Sequence, residues 1–150
     1  MNDLTGSQRL VMLYRQMSQG VVISPSSYAS GQGIQRQSVY YQLKLLKRMG
    51  FPVVNIDHGE WAFGTYEDVS FDLFDLAYGT HRTAAQKLVT LYQDLVKGYD
   101  VSPTKYAKKL GVERQTVYRQ LDLLSQTGIP VTNIPGKGWT LVDYVEYLYD

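Results

Sequence analysis

Apolar positions along the chain recur first at helical spacing and then in short alternating runs, and the whole succession occurs twice. Leu10, Leu13, Tyr14 and Met17 stand at i, i+3, i+4 and i+7, which predicts an amphipathic helix over Ser7–Gln19 ending at Gly20. Leu88, Leu91, Tyr92 and Leu95 repeat that stripe and end at Gly98. Ser24-Pro25 and Ser102-Pro103 then read as an N-cap followed by the first helical position, since a Ser hydroxyl accepts an orphan amide and Pro has none to satisfy. The second of these short helices spans roughly Pro103 to Leu110 and closes at Gly111. A longer helix follows over Arg114–Thr127, burying Val117, Leu121 and Leu124 and stopping at Gly128. Past Pro130, Val131–Ile134 reads as a strand, Pro135–Gly138 as a turn and Trp139–Val142 as a returning strand. In the first copy Asp57–Glu60 is the shorter-looking turn, between Val53–Ile56 and Trp61–Phe63.

The repetition is gapless at an offset of 78 residues. Between Arg36 and Ile56, 13 of 21 positions are identical to their partners at 114–134, and Trp61 falls on Trp139. Chance does not produce such a match, so the chain carries an internal duplication. Two long units make two domains, whereas a solenoid needs at least three short ones. The expected fold class is mainly α with small β-hairpins (α+β): two tandem winged helix-turn-helix domains. Expected boundaries are 1–66 and 83–150, with 67–82 between them.

Composition fits a soluble, core-forming chain. Hydrophobic residues make up 44% and aromatics 13%, and the apolar runs are far too short to span a membrane. Met-Asn-Asp opens without a basic region and an apolar stretch, so no secretory signal is read and a cytoplasmic protein is expected. With no cysteine, disulfide scaffolds, thiolate zinc sites and cysteine nucleophiles are excluded. The net charge of +1 conceals an alternation along the chain. Residues 1–66 carry six Lys/Arg against three Asp/Glu, and 83–142 carry eight against four. Residues 67–82 carry one against four, and the last eight carry none against three. Basic blocks suit a polyanion; the acidic ones do not.

The second copy resembles the helix-turn-helix of the DeoR and biotin-repressor-like regulators. The resemblance rests on Tyr106-Ala-Lys-Lys-Leu-Gly-Val112, on Arg114-Gln-Thr-Val-Tyr-Arg-Gln-Leu121, and on Gly136-Lys-Gly-Trp-Thr-Leu141 after Gly128-Ile-Pro-Val131. It implies that the glycine makes the tight turn, that the Thr-Val-Tyr-Arg helix enters the DNA major groove, and that the Gly-Lys-Gly-aromatic element forms a wing. Glu113 and Gln35 depart from the small polar residue usual before the recognition helix. A carboxylate there accepts from a cytosine amino group or repels phosphate. The first copy also has Gly31-Gln32 where the second has Lys109-Leu110, which is expected to weaken its short helix and remove a buried leucine.

With one helix face in the core, the opposite face offers Gln115, Arg119 and Asp122, preceded by Arg114 and Thr116. The first-copy equivalents are Gln37, Tyr41 and Lys44, with Arg36 and Ser38. Arg pairs bidentately with guanine and Gln with adenine, while Tyr or Thr packs on a thymine methyl. Ser24, Ser102 and Lys105 are candidates for backbone contacts, and Lys137 at the wing tip for an adjacent groove or phosphate. The DNA-binding candidates are therefore Gln35, Arg36, Gln37, Ser38, Tyr41, Lys44, Ser102, Lys105, Glu113, Arg114, Gln115, Thr116, Arg119 and Lys137. Because outward residues differ between the copies, unlike half-sites are expected.

Plainer roles are expected elsewhere. The recurring tyrosines (14 and 92, 28 and 106, 40 and 118) read as packing residues, His58 as a turn residue, and Asn55 and Asn133 as hairpin residues. Lys44, Lys47 and Arg48 also fit a solvated helix face. Glu67–Gly79, EDVSFDLFDLAYG, reads as a packing helix between the domains, and Asp143–Asp150 as a similar C-terminal helix; either offers a homodimer contact. No catalytic constellation, metal cluster or phosphate-cradling loop is visible, so no enzyme, cofactor, metal or small-molecule effector is expected. The expected partner is double-stranded DNA and the expected function transcriptional regulation. The alternatives are a plasmid or phage replication or partition initiator, or a winged-helix protein-interaction module.

Overall fold

In each copy, a first helix leads through a short loop to a pair of helices joined by a tight turn, and an antiparallel hairpin closes the unit. The computed structural model describes residues 4–57, 59–65, 83–98 and 100–141. The first copy comprises α1 (Gly6–Ser18), α2 (Pro25–Gln32), α3 (Arg36–Arg48), β1 (Val53–Asp57) and β2 (Glu60–Phe63). The second comprises α4 (Ala84–Val96), α5 (Pro103–Leu110), α6 (Arg114–Gln126), β3 (Val131–Ile134) and β4 (Gly138–Leu141). The fold is thus mainly helical with two small hairpins, as the hydrophobic pattern predicts. The expected helices at 67–79 and 143–150 lie outside the described residues.

Helix starts and stops follow local chemistry. Pro25 and Pro103 open α2 and α5. Gly33 and Gly111 close them in the left-handed region, at φ of 69° and 71°, where a Cβ would be strained. Ser24 and Ser102 hold the N-cap position with extended backbone, but neither side chain makes the expected capping bond. The capping that does form lies at the first helices. Thr5 Oγ1 accepts from the Gln8 amide at 3.1 Å while Gln8 Oε1 accepts from the Thr5 amide at 2.8 Å. Thr83 and Gln86 repeat this reciprocal box at the same two distances.

The chain divides into two compact units, Arg9–Gln86 and Met1–Gln8 with Lys87–Asp150, so the division falls inside α1 and α4. Within the first, Gln86 Nε2 donates to the Leu45 carbonyl at 3.1 Å. Its core gathers Leu10, Leu13 and Met17 of α1, Val39, Leu43 and Leu46 of α3, and Ile23, Phe51 and Val53. Tyr14 lies 4.7 Å from Phe51 and 5.9 Å from Phe63 by ring centroids, a tilted aromatic cluster under the hairpin. Within the second, Gln8 Nε2 donates to the Leu123 carbonyl at 3.1 Å. The core there is aliphatic: Leu88, Leu91 and Leu95 of α4 with Val117, Leu121, Leu124, Val101 and Ile129.

One expectation about the short helices needs correction. Leu110 is 39% exposed, so the first copy's Gln32 replaces no buried leucine. α2 has the eight-residue length of α5, with the Pro start and Gly33 stop retained, while Gly31 carries a propensity cost of roughly 1 kcal/mol.

The hairpins differ in register although their sequences align without gaps. Val131 pairs with Leu141 and Ile134 with Gly138, leaving a three-residue turn. Val53 pairs with Phe63 in the same way, but the register shifts between Asn55 and Asp57, and Asp57 pairs with Glu60. The first turn is therefore the shorter, as expected, and an irregularity in β1 absorbs the difference.

Candidate nucleic-acid interface

In both copies the longer helix of the pair puts a buried stripe and an exposed stripe side by side. In α6, Val117, Gln120, Leu121 and Leu124 are buried; in α3, Val39, Gln42, Leu43, Leu45 and Leu46 are. Both glutamines carry a buried Oε1 without a hydrogen-bond partner, a feature the hydrophobic pattern does not reveal. The outward stripe holds the candidate residues. Gln35, Arg36, Gln37, Ser38, Tyr41 and Lys44 are exposed in the first copy. Glu113, Arg114, Gln115 and Arg119 are exposed in the second, and Thr116 is half-buried. Tyr41, at 56% exposure, stands where the second copy has Arg119.

The turn before the helix aims its first residues outward. Gln35 and Glu113 occupy the N-cap in extended conformation without a side-chain cap, while their carbonyls accept from the Ser38 and Thr116 amides, each at 3.0 Å. Amides of the first turn point toward the helix end, where the dipole favours an anion. On α5, Pro103, Tyr106 and Ala107 are buried, and Lys105, Lys108 and Lys109 are exposed. Lys108 and Lys109 were not among the candidates, although their i+3 and i+4 spacing from Lys105 already puts them on one face. Ser102 is half-buried at the start of α5.

The hairpin is held against the rest of its unit in two ways. Val101 and Trp139 exchange backbone hydrogen bonds at 2.8 Å each, and Ile23 and Trp61 do the same at 2.7 and 2.8 Å. Tyr118 meets Trp139 edge-on at 6.4 Å and 83°, and Tyr40 meets Trp61 at 6.3 Å and 87°. These rings join helix to wing, so Tyr40 and Tyr118 pack as expected while remaining over two-fifths exposed. At the tip of the second hairpin Lys137 is exposed, its amide donating to the Ile134 carbonyl at 3.0 Å. Asn55 and Asn133 sit opposite Trp61 and Trp139 in the ladders. His58 lies outside the described residues.

Behind α5, the Tyr106 hydroxyl donates to Asp94 Oδ2 at 2.9 Å. Burial, and then the Asp94 carboxylate with its hydrogen bond, push the phenol well above its ordinary range. Tyr28, with Gln16 in the place of Asp94, is raised by burial alone. The Tyr106 bond ties α5 to α4.

Among the described residues, no group of three His, Asp or Glu is placed to hold a metal, and no helix is long and apolar enough to cross a membrane. No curated protein and no solved structure was found to match the chain. Residues 89–140, from within α4 to within β4, do match a family model described as an HTH domain. With two helices joined by a glycine turn, the second bearing an exposed polar stripe, and a hairpin behind them, this stretch of the chain is a helix-turn-helix domain of that family.

Proposed function

We propose that the protein is a sequence-specific double-stranded DNA-binding transcriptional regulator that reads with α3 and α6 in successive major grooves. The observation that carries this reading is the Arg-Gln-(Ser/Thr) triplet on the first turn of each long helix, whose Arg and Gln are exposed in both copies. Behind each triplet the helix is seated by a buried Val-Gln-Leu-Leu stripe. Arg and Gln are the side chains suited to bidentate contacts with guanine and adenine, and first-turn residues are those a recognition helix offers to base edges.

The copies share Arg36/Arg114 and Gln37/Gln115 but differ at Tyr41/Arg119 and Lys44/Asp122. The proposed site therefore has two blocks with a common element, read by the first turns, and an unlike element beside it. Successive grooves put the blocks about 34 Å apart, roughly one helical turn. The domain boundaries read from the sequence give each block its own reader, and joining the readers raises the local concentration of the second once the first has bound.

Selection from a randomised duplex pool at near-physiological salt tests the proposal. Enrichment of two related blocks about one turn apart supports it, and a palindrome of such pairs adds a homodimer. Salt-sensitive binding without sequence enrichment removes the regulator reading. Absence of any duplex binding favours a protein-interaction module instead.

A further inference from the structure

The copies share a fold but distribute charge differently over it. On α5, the start of α6 and the second wing, Lys105, Lys108, Lys109, Arg114, Arg119 and Lys137 are exposed. The residues at the same places in the first copy are Ser27, Ser30, Gly31, Arg36, Tyr41 and Gly59, so only Arg114 has a cationic counterpart. The contrast extends to the wings. Asp57 and Glu60 flank the first turn as exposed carboxylates where the second copy has Pro135 and Gly138. On α3 the first copy carries Lys44, against Asp122 in the second copy, and Lys47 and Arg48 at its last turn, where the second copy has Ser125 and Gln126. At a helix C-terminus cations offset the macrodipole, and the opposite end is the one a recognition helix presents to base edges.

Resting on the duplex-binding reading above, we propose that the second copy is the phosphate anchor and that the first reads bases while neutralising few phosphates. The physical ground is counterion release. Each phosphate neutralised by a lysine or arginine contributes about 0.9 to the slope of log K against log salt, and this term supplies most non-specific affinity. The face of α5 displays three lysines at i, i+3 and i+4, and the second wing adds a fourth at its tip. At the corresponding positions the first copy displays two hydroxyls and two glycines. Tyr41, in place of Arg119, offers an exposed ring suited to a thymine methyl without adding charge. Division of labour follows: the second copy holds the duplex and the first tests its sequence.

The test uses the full chain and a fluorescent duplex bearing the sequence enriched by wild type, with anisotropy titrations from 50 to 300 mM KCl (about a sixfold range, wide enough to define the slope). Two variants are compared, K105Q/K108Q/K109Q/K137Q and K47Q/R48Q. All six positions are exposed, and circular dichroism checks that the fold is retained. The first variant is expected to flatten the slope by about 3 to 4 and to weaken binding at least 100-fold near 100 mM salt, while the second leaves the slope within about 0.5 of wild type. Equal flattening by the two variants, or none by the first, overturns the division of labour while duplex binding stands. Wild type that binds no duplex refutes the proposed function itself, and this inference with it.

Discussion

Gly138 opens β4, just past the turn of the second wing. Its φ is +111°, a region L-residues rarely adopt, and a Cβ there would stand 2.7 Å from the Val101 carbonyl oxygen and 2.9 Å from its carbon. Both atoms are backbone and cannot rotate aside. Gly138→Ala therefore meets two costs. The dihedral strain is about 1–3 kcal/mol. Relieving the clash pulls Val101 from Trp139 and loosens their two 2.8 Å hydrogen bonds, each with a net worth of about 1 kcal/mol. The expected total is about 3–5 kcal/mol, a large share of a small domain's stability. Gly136 supplies the control, because its φ is +82° and a Cβ added there would meet nothing within 4 Å, so Gly136→Ala incurs dihedral strain alone. Urea unfolding followed by tryptophan fluorescence gives both values. Should Gly138→Ala cost no more than Gly136→Ala, the close approach to Val101 does not hold the wing, and the clash has no part in its stability.

Three further outcomes are expected. Gln86→Ala deprives both the Thr83 amide and the Leu45 carbonyl of a partner and should lower unfolding free energy by roughly 2–4 kcal/mol. Thr83→Ala removes only the cap, for about 1 kcal/mol, so equal costs by thermal or urea melts would contradict the role given to the Gln86 amide. The raised phenol of Tyr106 makes the folded state keep a proton that the unfolded chain releases above about pH 10. Stability is then fully present below that pH and falls as pH rises toward the folded-state value, by up to about 1.4 kcal/mol per unit. Tyr106→Phe should flatten melting temperature against pH between roughly 9 and 11.5; an unchanged alkaline slope counts against the burial argument. Finally, Arg119→Ala should cost about 1–3 kcal/mol of base discrimination in one block, and Tyr41→Ala should act on the other. If selection with the two variants relaxes the same base in both blocks, the unlike-reader idea fails.

What the sequence makes legible is what local chemistry determines. Pro103 starts α5 and Gly111 stops it, and both ends were readable because a missing amide and a left-handed φ are properties of single residues. The buried face of α6 was equally readable from Val117, Leu121 and Leu124. Features built from distant partners were not. The Ile23–Trp61 and Val101–Trp139 bridges are single pairings with no periodicity to announce them. Thr5-Gly-Ser-Gln8 and Thr83-Ala-Ala-Gln86 did carry the spacing of a capping box, but the second bonds of Gln8 and Gln86 go to Leu123 and Leu45, far along the chain. Leu110 misled for the same reason: its apolar character suggests burial, yet at the C-terminal end of α5 it stays outside the core. Among the candidate site residues, helical phase sufficed to put Arg36, Gln37, Arg114, Gln115 and Arg119 on an outward face, since a buried stripe fixes its opposite. The lysine face of α5 was legible from the i+3 and i+4 spacing of Lys108 and Lys109 from Lys105, and a position-by-position comparison of the copies shows that the first lacks it.

That comparison also explains how a duplication can diverge in recognition without losing its fold. All five buried residues of α3 (Val39, Gln42, Leu43, Leu45 and Leu46) recur unchanged in α6. Changing any of them would disturb a packed interior, where large-to-small substitutions typically cost about 2–5 kcal/mol. Even the buried Gln42 and Gln120, each with an unpartnered carbonyl oxygen, obey this constraint. Substitutions at exposed positions such as Tyr41, Lys44, Lys47 and Arg48 usually cost within about 0.5 kcal/mol, and there the copies part. Exposure alone does not explain the first turn, however. Arg36, Gln37, Arg114 and Gln115 are as exposed as their diverged neighbours, yet they remain the same pair in both copies. They cap no helix and are absent from both buried stripes, so folding places no evident demand on them. The proposed duplex reading supplies such a demand from outside the fold: on it, both helices meet the same chemistry at their first turn and different chemistry one turn later. That is the pattern expected of two readers with a common base step and an unlike neighbour, and it ties the selected site to the fold residue by residue.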